Sequence, residues 1–381
     1  MKMTLSVIKA DVGSIGGHTR PSKKMLELVT AKVKEACGGA NPLLIDGLVT
    51  HTGDDIALIM SHKHGVGARD VHQFAWNCFL TGTDAARTDG LYAAGQDLLV
   101  DAPSGNIRGA GPAVAEIEFE HNFSNKERSA EAFLVFAADK CGPGAYNYPL
   151  YSTYSDPMRN TGLLLNPKLH KGFTFTIIDM DCTTADRVIK LNVPERAWDV
   201  ATLLQNPDRY AVESIHSRHL ADQHIVSVSA TRMHNVSGKY VGKDDPICLI
   251  RTQGIFPAPE EVVEPYLLGH YVSGGCRGSH IMPMLPVAIG TPVAGVYCLP
   301  LVSCLAFSMD KDGFFTEDYV DIFGDVSWDY TRQKVQQKLD EWRRQGFVGP
   351  TMAPHAELAY TGIVETLDAL GKEFEDRETA K

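Results

Sequence analysis

What this chain of 381 residues lacks closes off several classes of function. None of its eight cysteines (Cys37, Cys78, Cys141, Cys182, Cys248, Cys276, Cys298 and Cys304) forms a Cys-x-x-Cys pair, and a chain of this length needs no disulfide staples. The thiols read as reduced and structural. No run of lysine and arginine is long enough to track a phosphate backbone, and 47 acidic residues against 36 basic give a formal net charge of -11. Nucleic acid is therefore not an expected partner. No secretory leader is legible, because the apolar start MKMTLSVIKAD breaks at Lys9 and Asp11; the expected compartment is the cytoplasm. Charge is absent from 281 to 307, enough residues to cross a bilayer. Yet Pro283, Pro286, Pro292 and Pro300, with Gly290 and Gly295, interrupt that run too often for one helix, so buried strands and loops are expected and no membrane role. No P-loop, dinucleotide fingerprint, low-complexity linker or solenoid repeat occurs. The chain reads as a single domain over 1–381, with 363–381 as a charged helical tail.

What is present is an ordinary globular composition, 44% hydrophobic and 22% charged, with strand and helix patterns in alternation. Alternating or continuous apolar runs predict strands over 4–10, 43–50, 56–61, 115–119, 133–138, 173–180, 211–215, 225–232 and 247–252. Helical spacing predicts a helix over 21–37, where Met25, Leu28, Val29 and Val33 share a face and Gly38-Gly39 stops it. A second helix follows over 69–86 through Val71, Ala75, Cys78 and Phe79, and a third over 330–345 through Val335, Leu339 and Trp342. Several strands are joined by hairpins, so an α/β fold with mixed or antiparallel sheets and helices outside is expected.

Acids mark the strand ends. Asp11 closes the first strand, Asp54 and Asp55 occupy the turn in THTGDD, Asp139 closes another strand, and Asp244 and Asp245 open one in GKDDPICLI; Asp101 is nearby in LLVDAPSGN. Taken singly, each is an ordinary turn or cap residue. Gathered at one sheet edge they would repel one another unless cations lay between them, and hard oxygen donors of this kind suit several Mg2+ ions. Lysines accompany them: Lys9 before Asp11, Lys140 after Asp139, Lys243 before Asp244. Lys243 either pairs with its neighbours on a solvated turn, or loses its proton beside bound metal and attacks a carbonyl. Glycine-rich pieces around Tyr92–Asp97, 103–109 and 142–147 offer backbone N–H groups to a phosphate. The histidines His51, His62 and His64, with His216, His219 and His224, have no cysteine or carboxylate in register and are not read as a zinc site.

With SVIKAD, GGH, THTGDD, GLYAAGQDLL, SGNIRG, AADK, PGAYNYPLY, GKYVGKDDP, CRGSH and ELAYT in place, the chain resembles the bifunctional fructose-1,6-bisphosphate aldolase/phosphatase family from residue 4 to about 362. The resemblance implies a layered α-β-β-α sandwich, a homo-oligomer (an octamer), and sugar-phosphate substrates. It implies Lys243 as the Schiff-base lysine, Tyr240 as the proton donor and acceptor of the aldol step, and Asp11 as the base of the phosphatase step. Magnesium ligands would be Asp11, His18, Asp54, Asp55, Gln96, Asp139, Asp244 and Asp245. Substrate contacts would be His18, Tyr92, Gly105, Asn106, Lys140, Gln253, Arg277 and Tyr360. Two departures stand out: Gly254, where relatives carry histidine, and the stretch 288–299, which lacks the expected Arg and Asp and places Tyr297 near the position of an acid. The same residues would also serve a magnesium-dependent sugar phosphatase without an aldol step, or a non-catalytic binder of sugar phosphates.

Overall fold

Alternation along the first strand decides what lies on either side of it. In Lys2–Asp11 (β1) the odd positions Met3, Leu5 and Val7 join one apolar cluster, the even positions Ile8 and Ala10 another, and all are buried. A strand apolar on both faces must be covered on both. The structure, a computed structural model, describes residues 2–98, 111–120, 131–182, 186–220, 223–230, 236, 242–254, 256–273, 281–296, 299–345 and 363–377.

Helices cover the even face. Met25, Val29 and Val33 of α1 (Lys23–Ala36) and Val71, Ala75, Cys78 and Phe79 of α2 (Arg69–Thr88) pack on Ile8, Ala10, Ile56, Leu58 and Met60. Ser22 caps α1 by accepting the Met25 N–H at 3.2 Å, which starts the helix just inside Pro21. β1 lies in an antiparallel sheet with β2 (Asp46–Thr52), β3 (Asp55–His62) and β4 (Ala113–Glu120), in the order β2-β3-β1-β4.

The odd face meets a second sheet. Its strands are β5 (Glu131–Asp139), β6 (Phe173–Asp179), β7 (Asp186–Val193), β8 (Tyr210–Ser217), β9 (His224–Val228) and β10 (Ile247–Thr252). A separate ladder pairs β11 (Tyr271–Ser273) with β12 (Ile281–Pro283). β13 (Leu285–Pro286), β14 (Leu301–Met309), β15 (Val320–Asp321) and β16 (Glu375–Arg377) complete the large sheet, ordered β13-β14-β5-β10-β9-β8-β6-β7-β16 with β15 on β14. Only β13–β14 pairs in parallel among the described strands. Between the sheets lie Leu5, Val7, Ile59, Ile117 and Phe119 against Phe133, Val135, Ile247, Leu249 and Phe307. On the far side Leu134 and Phe136 meet Tyr146, Leu150 and Tyr154 around α3 (Asn147–Ser155), and Val200 and Leu203 of the helix Ala197–Leu204. The layers are α-β-β-α and the sheets mixed but largely antiparallel, as expected.

The charge-free run 281–307 supplies β12, β13 and most of β14, all largely buried. No helix among the described residues is long and apolar enough to cross a membrane. One expectation is corrected at the C-terminal end. The helix there stops at Gly371, and Glu375–Arg377 adds an edge strand to β7. Phe374 causes the change: it is buried and stacks on Tyr210 at 5.6 Å, which draws the chain back onto the sheet.

Candidate active site

The parity that buries Leu5 and Val7 carries Lys9 and Asp11 into the same inter-sheet layer, at its end. The same holds for Asp55, in step with Ile59 on β3, and for Asp139, in step with Phe133 and Val135 on β5. Asp11 and Asp55 are direct register partners. Asp245, two residues ahead of Ile247, sits at φ 48° and is clamped reciprocally: its N–H donates to Cys141 O and its Oδ1 accepts the Cys141 N–H, each at 2.8 Å. The apolar layer thus ends in a ring of carboxylates from both sheets.

A tight turn splits the pair Asp54 and Asp55. Gly53, at φ 57°, links β2 to β3 and donates to Thr291 O at 2.9 Å; a Cβ there would run into the Asp139 carboxylate. Asp54 then faces His18 and Lys140, while Asp55 faces Lys9. Two groups of ligand atoms result, each within 4.8 Å: Asp11, His18 and Asp54, and Asp55, Asp139 and Asp245. Lys140 joins them, donating to Asp54 and Asp139 at 2.7 Å each. His18 Nδ1 is 2.8 Å from Asp54 and 3.4 Å from Asp11.

Charge crowding shifts these groups. Burial, then the neighbouring Asp54, pushes the Asp11 carboxyl up to about 8. Hydrogen bonds to Asp11 and Asp54 raise the His18 imidazole to about 10. Burial alone would raise Asp54, but Lys140 and His18 hold it well below the usual carboxylate range. Asp139 lies at about 7 because burial outweighs the pull of Lys140. For Asp245, desolvation followed by the like charges of Asp244 and Asp139 drives the carboxyl well up. Carboxylates this close hold protons unless a cation replaces them. Buried, crowded oxygen donors with a single imidazole fit a hard divalent cation, so the donor set suits the metal that the sequence implies.

Lys243 belongs to the same pocket. Its side chain is 3% exposed, with Nζ 3.0 Å from Asp244 and 3.6 Å from Asp97. Burial would lower its pKa, yet Asp244, Asp97 and Asp245 hold it above the ordinary lysine value. Asp97 also accepts the Asp11 N–H at 2.8 Å, so one carboxylate touches both the lysine and the backbone of Asp11. The sequence reading gave Asp97 no role, and its only signal was its place beside Gln96 in YAAGQD. Gln96 opens the 3-10 turn Gln96–Leu98, and Tyr92 sets its ring edge-on to His18 at 4.9 Å. Gln253 is not gathered with these residues: it follows the opposite end of β10 from Asp245, roughly 20 Å away by the rise of a strand. Tyr240, Gly105, Asn106, Arg277 and Tyr360, with Asp101 and Tyr297, lie outside the described residues.

The fructose-1,6-bisphosphatase family profile matches residues 2–375. A fructose-1,6-bisphosphate aldolase/phosphatase of Thermus thermophilus is 52% identical over 374 residues, covering 98% of this chain and 100% of the relative. Proteins of the same name from Cenarchaeum symbiosum and Methanothermobacter marburgensis are 44% and 40% identical, over 97% and 99% of this chain and 94% and 100% of their own lengths. With these matches running nearly end to end, across the acid-ringed pocket, the chain belongs to the fructose-1,6-bisphosphatase family.

Proposed function

We propose that this chain is a bifunctional gluconeogenic enzyme that condenses dihydroxyacetone phosphate with glyceraldehyde 3-phosphate and then hydrolyses fructose 1,6-bisphosphate to fructose 6-phosphate and phosphate. The observation that carries this reading is the meeting of a buried lysine, Lys243, with two groups of metal-ligand geometry in one pocket.

In the aldol half, Lys243 would lose the proton that Asp244, Asp97 and Asp245 favour once bound cations offset those acids; its neutral Nζ attacks the ketone carbon of dihydroxyacetone phosphate, water leaves, and an iminium acidifies the adjacent carbon. Tyr240, as phenolate, takes that proton; the enamine attacks the aldehyde of glyceraldehyde 3-phosphate, and the Tyr240 hydroxyl returns the proton to the new alkoxide oxygen. Hydrolysis returns Lys243 and releases the bisphosphate. In the second half Asp11 accepts a proton from the water that attacks the 1-phosphate. Lys140, His18 and Tyr92, more exposed than the acids beside them, would hold phosphate or sugar oxygens. Mg2+, held by Asp11, His18, Asp54, Asp55, Gln96, Asp139, Asp244 and Asp245, would supply positive charge against the crowded acids and the phosphates. A homo-oligomer, octameric by resemblance, is part of this reading.

Lys243→Arg tests it. Guanidinium stays protonated and forms no iminium, so borohydride trapping with dihydroxyacetone phosphate and aldol synthesis should vanish while Mg2+-dependent phosphate release falls less. An exposed ion pair on a turn predicts instead small, parallel changes, because such pairs contribute about 0–1 kcal/mol. Aldol synthesis retained by the variant would refute the assignment, and a wild-type protein that releases phosphate but is never trapped would be a sugar phosphatase alone.

A further inference from the structure

Lys9 is the cation of this site that the proposed reaction leaves without a task. It stands in the middle of the first sheet, where its register partners are Ala57 on β3 and Ala113 on β4. These small neighbours leave room for the lysine stem to cross the inter-sheet layer. Its ammonium donates to Asp55 and, at 3.1 Å, to Ala138 O on β5 of the opposite sheet. The side chain is 1% exposed.

Two roles are open to such a group: a strut between sheets, or a fixed charge among the acids. The strut is redundant, since Leu5, Val7, Phe133, Val135, Ile247 and Leu249 already join the sheets through an apolar layer. What that layer cannot supply is positive charge, and the carboxylates of the site outnumber its cationic groups. We propose that Lys9 is a resident cation of the metal centre, a positioning residue that keeps Asp55 facing Asp139 and Asp245 when no divalent ion is bound and sets how tightly those three carboxylates take one. The inference rests on the reading of these acids as a metal site.

The chemistry fixes the direction of the effect. A fixed ammonium beside a divalent ion repels it, and between loading events it offsets the repulsion among the acids. Lys9→Met keeps the stem and removes the charge. After chelation the variant should melt well below wild type, while the Mg2+ concentration that half-restores its melting temperature, checked by calorimetric titration, should fall about tenfold. Lys9→Met with Asp55→Asn removes both members of the contact, so its metal-free melting temperature should recover toward wild type. If Lys9→Met does not fold without metal, the double variant still must. Equal losses with and without Mg2+, Mg2+ binding no tighter than wild type, or a double variant no more stable than the single one would each overturn the proposal. A wild-type protein with neither a Mg2+-dependent rise in melting nor binding heat would sink the metal reading itself, which is a separate result.

Discussion

A residue held in the left-handed region of the backbone marks a place where something outweighs local preference. Among the described residues only Ala93, Lys140, Asp245 and Gln253 do so without being glycine. Lys140 and Asp245 bear charge in the site, and Ala93 follows Tyr92, whose ring meets His18. Asp245 is fixed by its reciprocal bonds with Cys141, so the strain is offset locally. Asparagine tolerates this conformation and can still accept the Cys141 N–H, whereas alanine can do neither well. Asp245→Ala should therefore unfold at lower urea than Asp245→Asn, by about 1–2 kcal/mol, although both lose metal affinity. Asp54 gives a second prediction at this scale. It accepts from His18 and Lys140, and Asp54→Asn removes ligand charge without removing volume. Phosphate release at limiting Mg2+ should fall by at least about tenfold, with partial recovery as Mg2+ is raised. Full activity at limiting Mg2+ would show that Asp54 holds no ion.

At the scale of elements, the turn between β2 and β3 does the most to shape the pocket. Gly53→Ala meets two obstacles, a positive φ and the Asp139 carboxylate, and should destabilise the fold by about 1–3 kcal/mol while pushing Asp54 and Asp139 apart. Melting with and without Mg2+ tests this: the loss should be larger with Mg2+, since the metal-dependent gain shrinks too. This turn and its flanking strands were legible in the sequence, because the apolar runs 43–50 and 56–61 stop on either side of THTGDD, where the acids fall. α3 was not legible. Asn147, Leu150, Ser152, Thr153 and Tyr154 are all buried, so the helix has no polar face to produce a period. β16 was missed for another reason: EDR is polar throughout, and its pairing follows from Phe374 anchoring the chain beside it. The acids themselves were readable one by one, but their division into two groups was not, since that depends on which sheet face each strand presents.

For the molecule as a whole, buried histidines away from the acid cluster add their own response to acid. Burial pushes His62 and His270 down to about 4 from an ordinary value of 6.5. His62 is also committed on both ring nitrogens, with Nδ1 accepting the His64 N–H at 3.2 Å and Nε2 at 2.8 Å from Ser6 Oγ. Between pH 6.5 and about 4 the unfolded chain binds protons at these positions that the folded chain refuses. At these two positions stability is therefore lost as pH falls through that window, about 3 kcal/mol for each histidine, against the opposite slope of the raised Asp11 and Asp139 carboxyls in the metal-free site. His62→Gln and His270→Phe should each flatten the dependence of the urea midpoint on pH there, whatever they do to stability at pH 7; unchanged slopes would rule these histidines out. The alternation of β1 has a consequence of a different kind. Because Lys9 and Asp11 share the parity of Leu5 and Val7, the strand behaves as a frame read two residues at a time. Removing one residue from 5–7 would turn the ammonium and the carboxylate under the helices and send Ile8 and Ala10 into the inter-sheet layer. Removing two would restore the faces but draw the acid back by about 7 Å, one full strand repeat. The length of each acid-bearing strand is thus as constrained as the acid it carries, and variation in length has to be taken up in the connections away from the carboxylate ring.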